Sequence, residues 1–563
     1  MLPLPSTTSP KAITINAAPE NVLSIPASGG SVPAIKGAQA LTPWSAGRYD
    51  GAATNNRVLE GWNVGLDAPE PPGAEYERGT LVSRLRDLER NDPLARSTIE
   101  KRIDSVIGSG WSLTSKPNHK ALGIEFDAAV DFAEQVECLW EMYITDPQGK
   151  FTEEETYTFS EIIGLAYRCG YRDGEAFALV TYDDDNGRLD TGTRLQLVDA
   201  DRVSNPQNAA DTETRRRGIE LTNTGRPVGF HIREGHPADW TTRGKNNSWR
   251  EVPMRTETGR PNILHFKQIT RPGQLRGVSR LAPVIKALRS TNVFDDAELQ
   301  SKVANALVST IITSNYDVST VSNNITAEEV LSVEKDRMQY YKDNPSARKN
   351  PLGGRSEVLP YGDTKEAIDT KRETGEDFID RVLHNIAAGA GISFEQLTMN
   401  WSKVNYSSAR AALLEVHKNM ARDQEHFSNS FMMGWFYAWM EEQFARGNLV
   451  APKGAPDFWD MPTAYCAVEW IYPALGWVDP VKEVQAAGMR MNLQLSTQEA
   501  ECAVQGKNWK KVLMQLARER RTREELGLPI MDYSQAMSTN AREDKSEARE
   551  TDDNEHMREQ ENA

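Results

Sequence analysis

The sequence predicts an α+β chain in which a mixed region of helices and short strands precedes long helices. Three observations carry that prediction. Between residues 79 and 278, helix-period apolar segments alternate with short strand-like runs bounded by turn residues. From residue 280 the pattern becomes almost continuously helical, and long helical stretches recur to the end of the regular structure. Of 563 residues, 39% are apolar, enough for a sizeable core spread over several lobes.

Residues 1–78 are rich in Ala, Pro, Ser, Gly and Thr and read as an extended arm. Trp44, Tyr49 and Trp62 are candidates to anchor it, on a neighbour or on the chain's own surface. Residues 81–88 form an amphipathic helix. Asn91-Asp92-Pro93 then caps a second one, with proline at its first position. Ala95, Ile99, Ile103 and Ile107 recur every four residues along it, and Gly108 and Gly110 stop it. Residues 175–182 and 194–198 are predicted strands, joined through the turn chemistry of Asp183-Asp184-Asp185-Asn186-Gly187. That acidic triplet lacks the ligand spacing of a calcium loop. Further strands are expected at 228–233 and 262–266.

From 280 to about 309, Leu281, Val284, Ile285, Leu288, Leu299, Val303 and Leu307 share one side of a rod roughly 45 Å long. Residues 313–363 are polar and carry a basic and aromatic cluster of Arg337, Tyr340, Tyr341, Lys342, Arg348 and Lys349. A second helix spans 364–388 and ends in Gly389-Ala390-Gly391. A third covers 407–446, where Leu413, Met420, Phe427, Phe431, Trp435 and Trp439 read as core and Gly434 as a site for a kink. Two or three shorter helices follow Pro480. From Ser538 the tail holds nine acidic and four basic residues and reads as solvated and disordered.

The net charge of −16 argues against a tight DNA binder, which neutralises phosphates with Lys and Arg, yet suits a surface that DNA passes without sticking. Cys138, Cys169, Cys466 and Cys502 have neither disulfide-scaffold nor metal-ligand spacing, so buried thiols in a reducing compartment are expected. The first residues, Met1-Leu2-Pro3-Leu4-Pro5, do not read as a signal peptide. The apolar run 431–440 is too short to span a bilayer, so a soluble cytoplasmic protein is expected.

Catalytic signatures fail in turn. Gly506-Lys507-Asn508 lacks the rest of a P-loop, and neither H-E-x-x-H nor G-x-S-x-G occurs. Gly389-Ala390-Gly391 lacks the third glycine of a dinucleotide site and follows a helix. His231 and His236 fall on opposite faces of a strand, and Glu395 and Asp201 are single carboxylates without a partner motif. No catalytic residue, cofactor or metal is predicted.

Several segments, in one fixed order, resemble the lambda-type portal family of tailed phages. They are Leu85-Arg86-Asp87-Leu88-Glu89-Arg90-Asn91-Asp92-Pro93-Leu94-Ala95 with Val106-Ile107-Gly108-Ser109-Gly110, Gly174-Glu175-Ala176-Phe177, and Leu195-Gln196-Leu197-Val198-Asp199-Ala200-Asp201. Next come Gly218-Ile219-Glu220 with Gly225-Arg226-Pro227-Val228, and Arg271-Pro272-Gly273-Gln274-Leu275-Arg276-Gly277-Val278. The last is Gly391-Ile392-Ser393-Phe394-Glu395-Gln396-Leu397, running into Asn405-Tyr406-Ser407-Ser408-Ala409-Arg410. The similarity covers roughly 45–530.

The resemblance implies a portal fold: a mixed α/β wing (79–278), a helical stem (279–312 and 364–391) and a small α/β clip (313–363). It adds a tunnel loop (392–406), a long wing helix with its return (407–480) and a helical crown (481–537), leaving the arm 1–78 and the tail 538–563 outside. It further implies a ring of typically twelve copies, made in the host cytoplasm, that forms the head-tail connector at one capsid vertex of the virion. Double-stranded DNA would pass through it without sequence-specific contact, and no membrane is involved. The expected partners are the large terminase, head-tail completion proteins, and capsid and scaffold proteins. Met399, Asn400, Trp401 and Lys403 are the expected DNA-facing residues, and Ser407-Ser408 the cap of the helix that follows them. Arg337, Lys342, Arg348 and Lys349 are the expected contacts to terminase or adaptor. A packaging nuclease would need a P-loop or an acidic metal cluster, neither of which is visible. Another virion structural component, capsid or adaptor, is less well matched by the ordered segments.

Overall fold

The computed structural model describes residues 68–69, 74–183, 191–241, 247–307, 376–400, 406–474 and 480–529, with isolated positions at 245, 326, 328, 335, 339 and 342. The chain divides after Asp67, and every described residue belongs to the second unit, Ala68–Ala563. The arm up to residue 67, the hairpin tip, most of 313–363, residues 364–375 and the acidic tail therefore lie outside the described residues.

Helices α1 (Ala74–Asn91) and α2 (Pro93–Val106) are separated by Asp92 alone. Its carboxylate accepts the N–H groups of Leu94 (2.8 Å) and Ala95 (3.0 Å), and Pro93 fills the first helical position, whose N–H has no partner in a helix anyway. The predicted arm ends too late. Residues 74–78 are already helical, and Arg78 is buried rather than part of an extended segment.

Next come β1 (Ser112–Ser115), α3 (His119–Leu122), α4 (Phe126–Ile144) and α5 (Phe159–Arg172), the last opened by a reciprocal cap between Thr158 and Glu161. Strand β2 (Glu175–Tyr182) lies between β3 (Thr193–Val198) and the later β8 (Ile263–Lys267), antiparallel to both, with Val180 opposite Leu195 and Ala178 opposite Leu264. Strands β4 (Arg215–Arg216), β5 (Ile219–Leu221), β6 (Pro227–Arg233) and β7 (Trp249–Pro253) form a second antiparallel sheet in sequence order. Alternation along β2 explains why it reads as one apolar run. Ala176, Ala178 and Val180 join the main core, while Phe177 and Leu179 join a second core with Phe230 and Ile232.

A 3₁₀ turn at Ala282–Val284 leads into α6 (Ile285–Leu307), a rod of roughly 35 Å. The apolar row expected along one side is split in two. Leu281, Val284, Ile285 and Leu288 are buried at its foot, whereas Leu299 is 63% exposed among the described residues. Helix α7 (Glu376–Ala390) returns beside that foot, burying Ile386, Ala387 and Ala390.

After α8 (Phe394–Thr398) comes α9 (Tyr406–Phe427), then a π-helical turn at Ser428–Met432, then α10 (Met433–Arg446). The helix irregularity thus precedes Gly434, which serves a different purpose from the kink expected of it. A Cβ there would lie 2.5 Å from Leu264 Cδ2, so the missing side chain lets α10 press on β8. Ser407 and Ser408 fall inside the first turn of α9 and are not its cap, because the helix already starts at Tyr406. The predicted core stripe is correct at Met420, Phe427, Phe431, Trp435 and Trp439, while Leu413 is half-buried. Trp140 of α4 meets Trp435, Phe436 and Trp439 edge-on at 6.0, 5.3 and 5.1 Å.

The chain closes through α11 (Pro462–Tyr465) and β9 (Val468–Ile471), which pairs with β1, and then α12 (Pro480–Asn492), α13 (Gln498–Val504) and α14 (Trp509–Glu525). Cys466 is buried, which pushes its thiol up to about 12, but Cys138 is exposed, contrary to the expectation of buried thiols. Among the described residues no helix is long and apolar enough to cross a membrane.

The tightest crossing joins the start of β2 to the loop before α6. A Cβ on Gly277 would lie 2.0 Å from the carbonyl oxygen of Gly174, which itself has φ +96°. Because the obstacle is backbone, Gly277→Ala should destabilise the fold by about 3 kcal/mol, read as a lower denaturant midpoint. An unchanged midpoint would show that this crossing opens without loss.

Candidate functional site

The residues predicted to face DNA follow α7, so its end sets their position. Gly391 takes φ +74° and turns the chain, and Ile392 N–H then bonds back to the Ala387 carbonyl at 3.1 Å. The two carbonyls exposed by this ending are both captured. Tyr171 OH donates to Ala390 O at 2.7 Å, and Arg102 Nη1 donates to Gly391 O at 3.0 Å.

The segment that follows is not simply a loop. Ser393 caps α8, Gln396 returns a bond to the Ser393 N–H at 3.1 Å, Leu397 is buried, and Phe394 stacks on His384 at 4.0 Å. The first half of the predicted tunnel loop is therefore a docked helical turn, because its apolar residues find the groove beside α2 and α7. Met399, at φ +55°, ends the turn and is 60% exposed, and Asn400 beside it is exposed. Trp401 and Lys403 lie outside the described residues. Of the expected clip contacts, Lys342 is helical and exposed, while Arg337, Arg348 and Lys349 lie outside the described residues.

Asp423, buried on α9, anchors the clamp. One of its oxygens accepts from Arg102 Nη2 (2.5 Å), from Tyr167 OH (2.9 Å) and from Arg280 at the foot of α6. Arg102 also donates to the Asn419 carbonyl at 3.2 Å. Thus α2, α5, the α6 foot, the α7 end and α9 converge on one carboxylate. Charge-assisted bonds of this kind hold geometry well, but only while each buried charge keeps its partner.

A second buried carboxylate explains much of the ordered segments. Glu175 is fully buried and accepts from Arg276 Nε (2.8 Å) and Gly277 N–H (3.1 Å), with Arg78 and His265 each 3.1 Å away. Burial alone would raise its pKa, but Arg276 and then Arg78 hold it well below the usual carboxylate range. Arg276 spends its remaining N–H groups on the carbonyls of Ala200, Val203 and Arg217. Burial keeps the His265 imidazole below its usual range despite the carboxylate beside it.

Arg86 gathers Asp173 (2.9 Å), Asp199 (3.0 Å) and Asp201 (2.8 Å), and His236 approaches Asp201 at 3.8 Å. Asp199, Asp201 and His236 have a metal-like spacing, each offering one atom within 4.8 Å of the others. The guanidinium already bonds both carboxylates, however, and occupies the role a cation would play. The sequence reading did not bring Asp201 and His236 together, since residues 35 apart carry no local signal. His231, by contrast, bonds Glu220 at 2.7 Å.

The profile of the family described as phage portal protein, lambda family, matches residues 55–424. The chain is 29% identical over 497 residues to the portal protein of Escherichia phage N15, covering 86% of this chain and 91% of that one. It is 27% identical over 543 residues to portal protein B of Escherichia phage lambda, covering 92% and 99%. Among solved structures, a chain from the neck of an empty gene transfer agent particle matches with a TM-score of 0.42 at 12% identity, covering 84% of this chain and 98% of that one.

Two outcomes follow from the buried carboxylates. Asp423→Ala leaves two arginines without their anion and should cost about 3–5 kcal/mol, measured by chemical denaturation; a loss below about 1 kcal/mol would contradict the clamp. Acid should unfold the protein in two stages. His265, held below its usual 6.5, takes up a proton more readily when unfolded, so stability falls as pH drops below 6.5. Glu175, held below its usual 4.5, adds a steeper loss below pH 4.5, which Glu175→Gln should flatten. An unaltered acid limb in that variant would exclude Glu175 as a cause.

Proposed function

From the premise that the chain belongs to the lambda family of phage portal proteins, we propose how its parts serve the channel at a capsid vertex. The chain is a structural component of the portal vertex in a phage virion. Copies of it close into a ring, twelve in the preferred reading, and DNA passes along the axis during packaging and ejection.

The observation that carries this reading is the split character of α6. Its foot is locked into the core through Leu281, Val284 and Leu288, while Val293 and Leu299 further along are exposed. A rod so anchored serves as a stem wall whose apolar positions meet a neighbouring copy. A closed ring needs such head-to-tail contacts, with two different patches per subunit. The segment 79–278 is then wing, 313–363 clip and 481–537 crown.

The clamp at Ala390 and Gly391 holds Met399 and Asn400 at the mouth of the next segment, and together with Trp401 and Lys403 we assign them to the channel surface. Lys403 repeated around the ring supplies a band of weak phosphate contacts, and the net charge of −16 limits sticking elsewhere. Arg337, Lys342, Arg348 and Lys349 are assigned to docking of the large terminase and, later, of head-tail completion proteins. Capsid and scaffold proteins surround the wing, and assembly takes place in the host cytoplasm.

Negative-stain micrographs of purified protein should show rings with a central channel; shells, sheets or monomers would exclude the reading. Trp401→Ala with Lys403→Ala should leave those rings intact and lower DNA packaging or retention. Charge reversal of the four clip residues should spare assembly and weaken terminase binding. Normal packaging and normal terminase binding by the respective rings would remove these residue assignments.

A further inference from the structure

Helix α14 buries none of its seventeen residues in its own chain. Isolated helices of this length are marginal in water, so an exposed one needs a partner. Among the described residues its ion pairs to another element are at its first turn, where Lys510 pairs with Glu134 at 3.1 Å and Lys511 with Glu141. Both acids belong to α4, which carries five acidic residues and no basic one. Helix α14 is the opposite, with six basic residues against three acidic ones.

The contact within the chain involves Glu134 and Glu141 of α4 and the first turn of α14. Arg518 and Arg521, three apart and on one face of α14, make no ion pair among the described residues, and neither do Asp127 and Asp131, four apart on the exposed face of α4. Apolar side chains flank both pairs: Leu516 on α14 is 38% exposed, and Phe126 on α4 is 64% exposed. Arg521 stands ten residues beyond Lys511, roughly 15 Å along the helix, so it projects away from the α4 residues that hold the base of α14 in its own chain.

We propose that the outer half of α14 docks on the exposed face of the N-terminal half of α4 in the next copy of the chain. Arg518 and Arg521 meet Asp127 and Asp131 there, with Leu516 packed beside Phe126. The cation-to-carboxylate pairing that seats the base of α14 within its own chain is thus repeated between copies, with Arg and Asp in place of Lys and Glu. Because the two patches differ, each copy offers one and receives the other, which is the head-to-tail arrangement a closed ring requires. The proposal rests on the ring reading above and assigns one of its interfaces.

The test is a charge exchange in the full-length protein, read as the ring fraction by size exclusion and electron microscopy. Arg518→Glu with Arg521→Glu should lower that fraction about tenfold or more, and so should Asp127→Lys with Asp131→Lys, because like charges then face each other. All four positions are exposed, so the thermal midpoint of the monomer should not move. Combining the four substitutions in one chain restores opposite charges across the interface and should restore the rings. Ring formation at the unmodified level by either pair, or no recovery in the combined variant, would overturn the docking while leaving the portal reading intact. Absence of rings from the unmodified protein would instead overturn the portal reading itself.

Discussion

The structure depends on a single buried carboxylate that must be shared between two arginines. Asp423 receives Arg102 from α2 and Arg280 from the foot of α6, and Arg102 in turn reaches the carbonyl of Gly391. Elements more than three hundred residues apart in sequence are thereby fixed against one another. A well-packed apolar substitute would often be as stable as a buried ion cluster of this kind. The clamp contributes direction more than energy. It determines where α6 leaves the body and where the chain goes after α7.

The second cluster does the same for the sheet region. Glu175 lies at the start of β2, and the guanidinium of Arg276 spans from it to three carbonyls on the neighbouring turns. Arg78 reaches the same carboxylate from α1. Several of the segments that resemble the portal family meet in this second cluster: Glu175 and Arg276 come from two of them, and Ala200, whose carbonyl Arg276 holds, from a third.

Much of this was legible in the sequence where the signal is local. Asp92-Pro93 marked a cap, the 175–182 and 194–198 runs marked a hairpin, and the stripe from Met420 to Trp439 marked core, since each depends on neighbours a few residues away. The illegible parts depend on distance. The β1–β9 pair joins Ser112 to Ile471, 359 residues apart, with four residues per strand and no turn between them. The docked turn at Phe394–Thr398 was read as loop because five residues show no period; its stability comes from burial of Leu397 and the stack of Phe394 on His384. Asp423 looked like one more polar residue on a long helix, and only its partners give it meaning. Periodicity placed the α6 row on one side but gave no sign of which positions are covered: Leu281, Val284, Ile285 and Leu288 are buried, and Leu299 is exposed.

The proposed portal role joins these observations: on it, the buried clamp would aim the 391–400 segment toward the axis of the ring. A map of the assembled ring at side-chain resolution tests that claim most directly. Asp423 should bridge Arg102 and Arg280 in every subunit, with Met399 and Asn400 at the channel wall. A ring in which the clamp is intact but Met399 and Asn400 face the outer surface would contradict it.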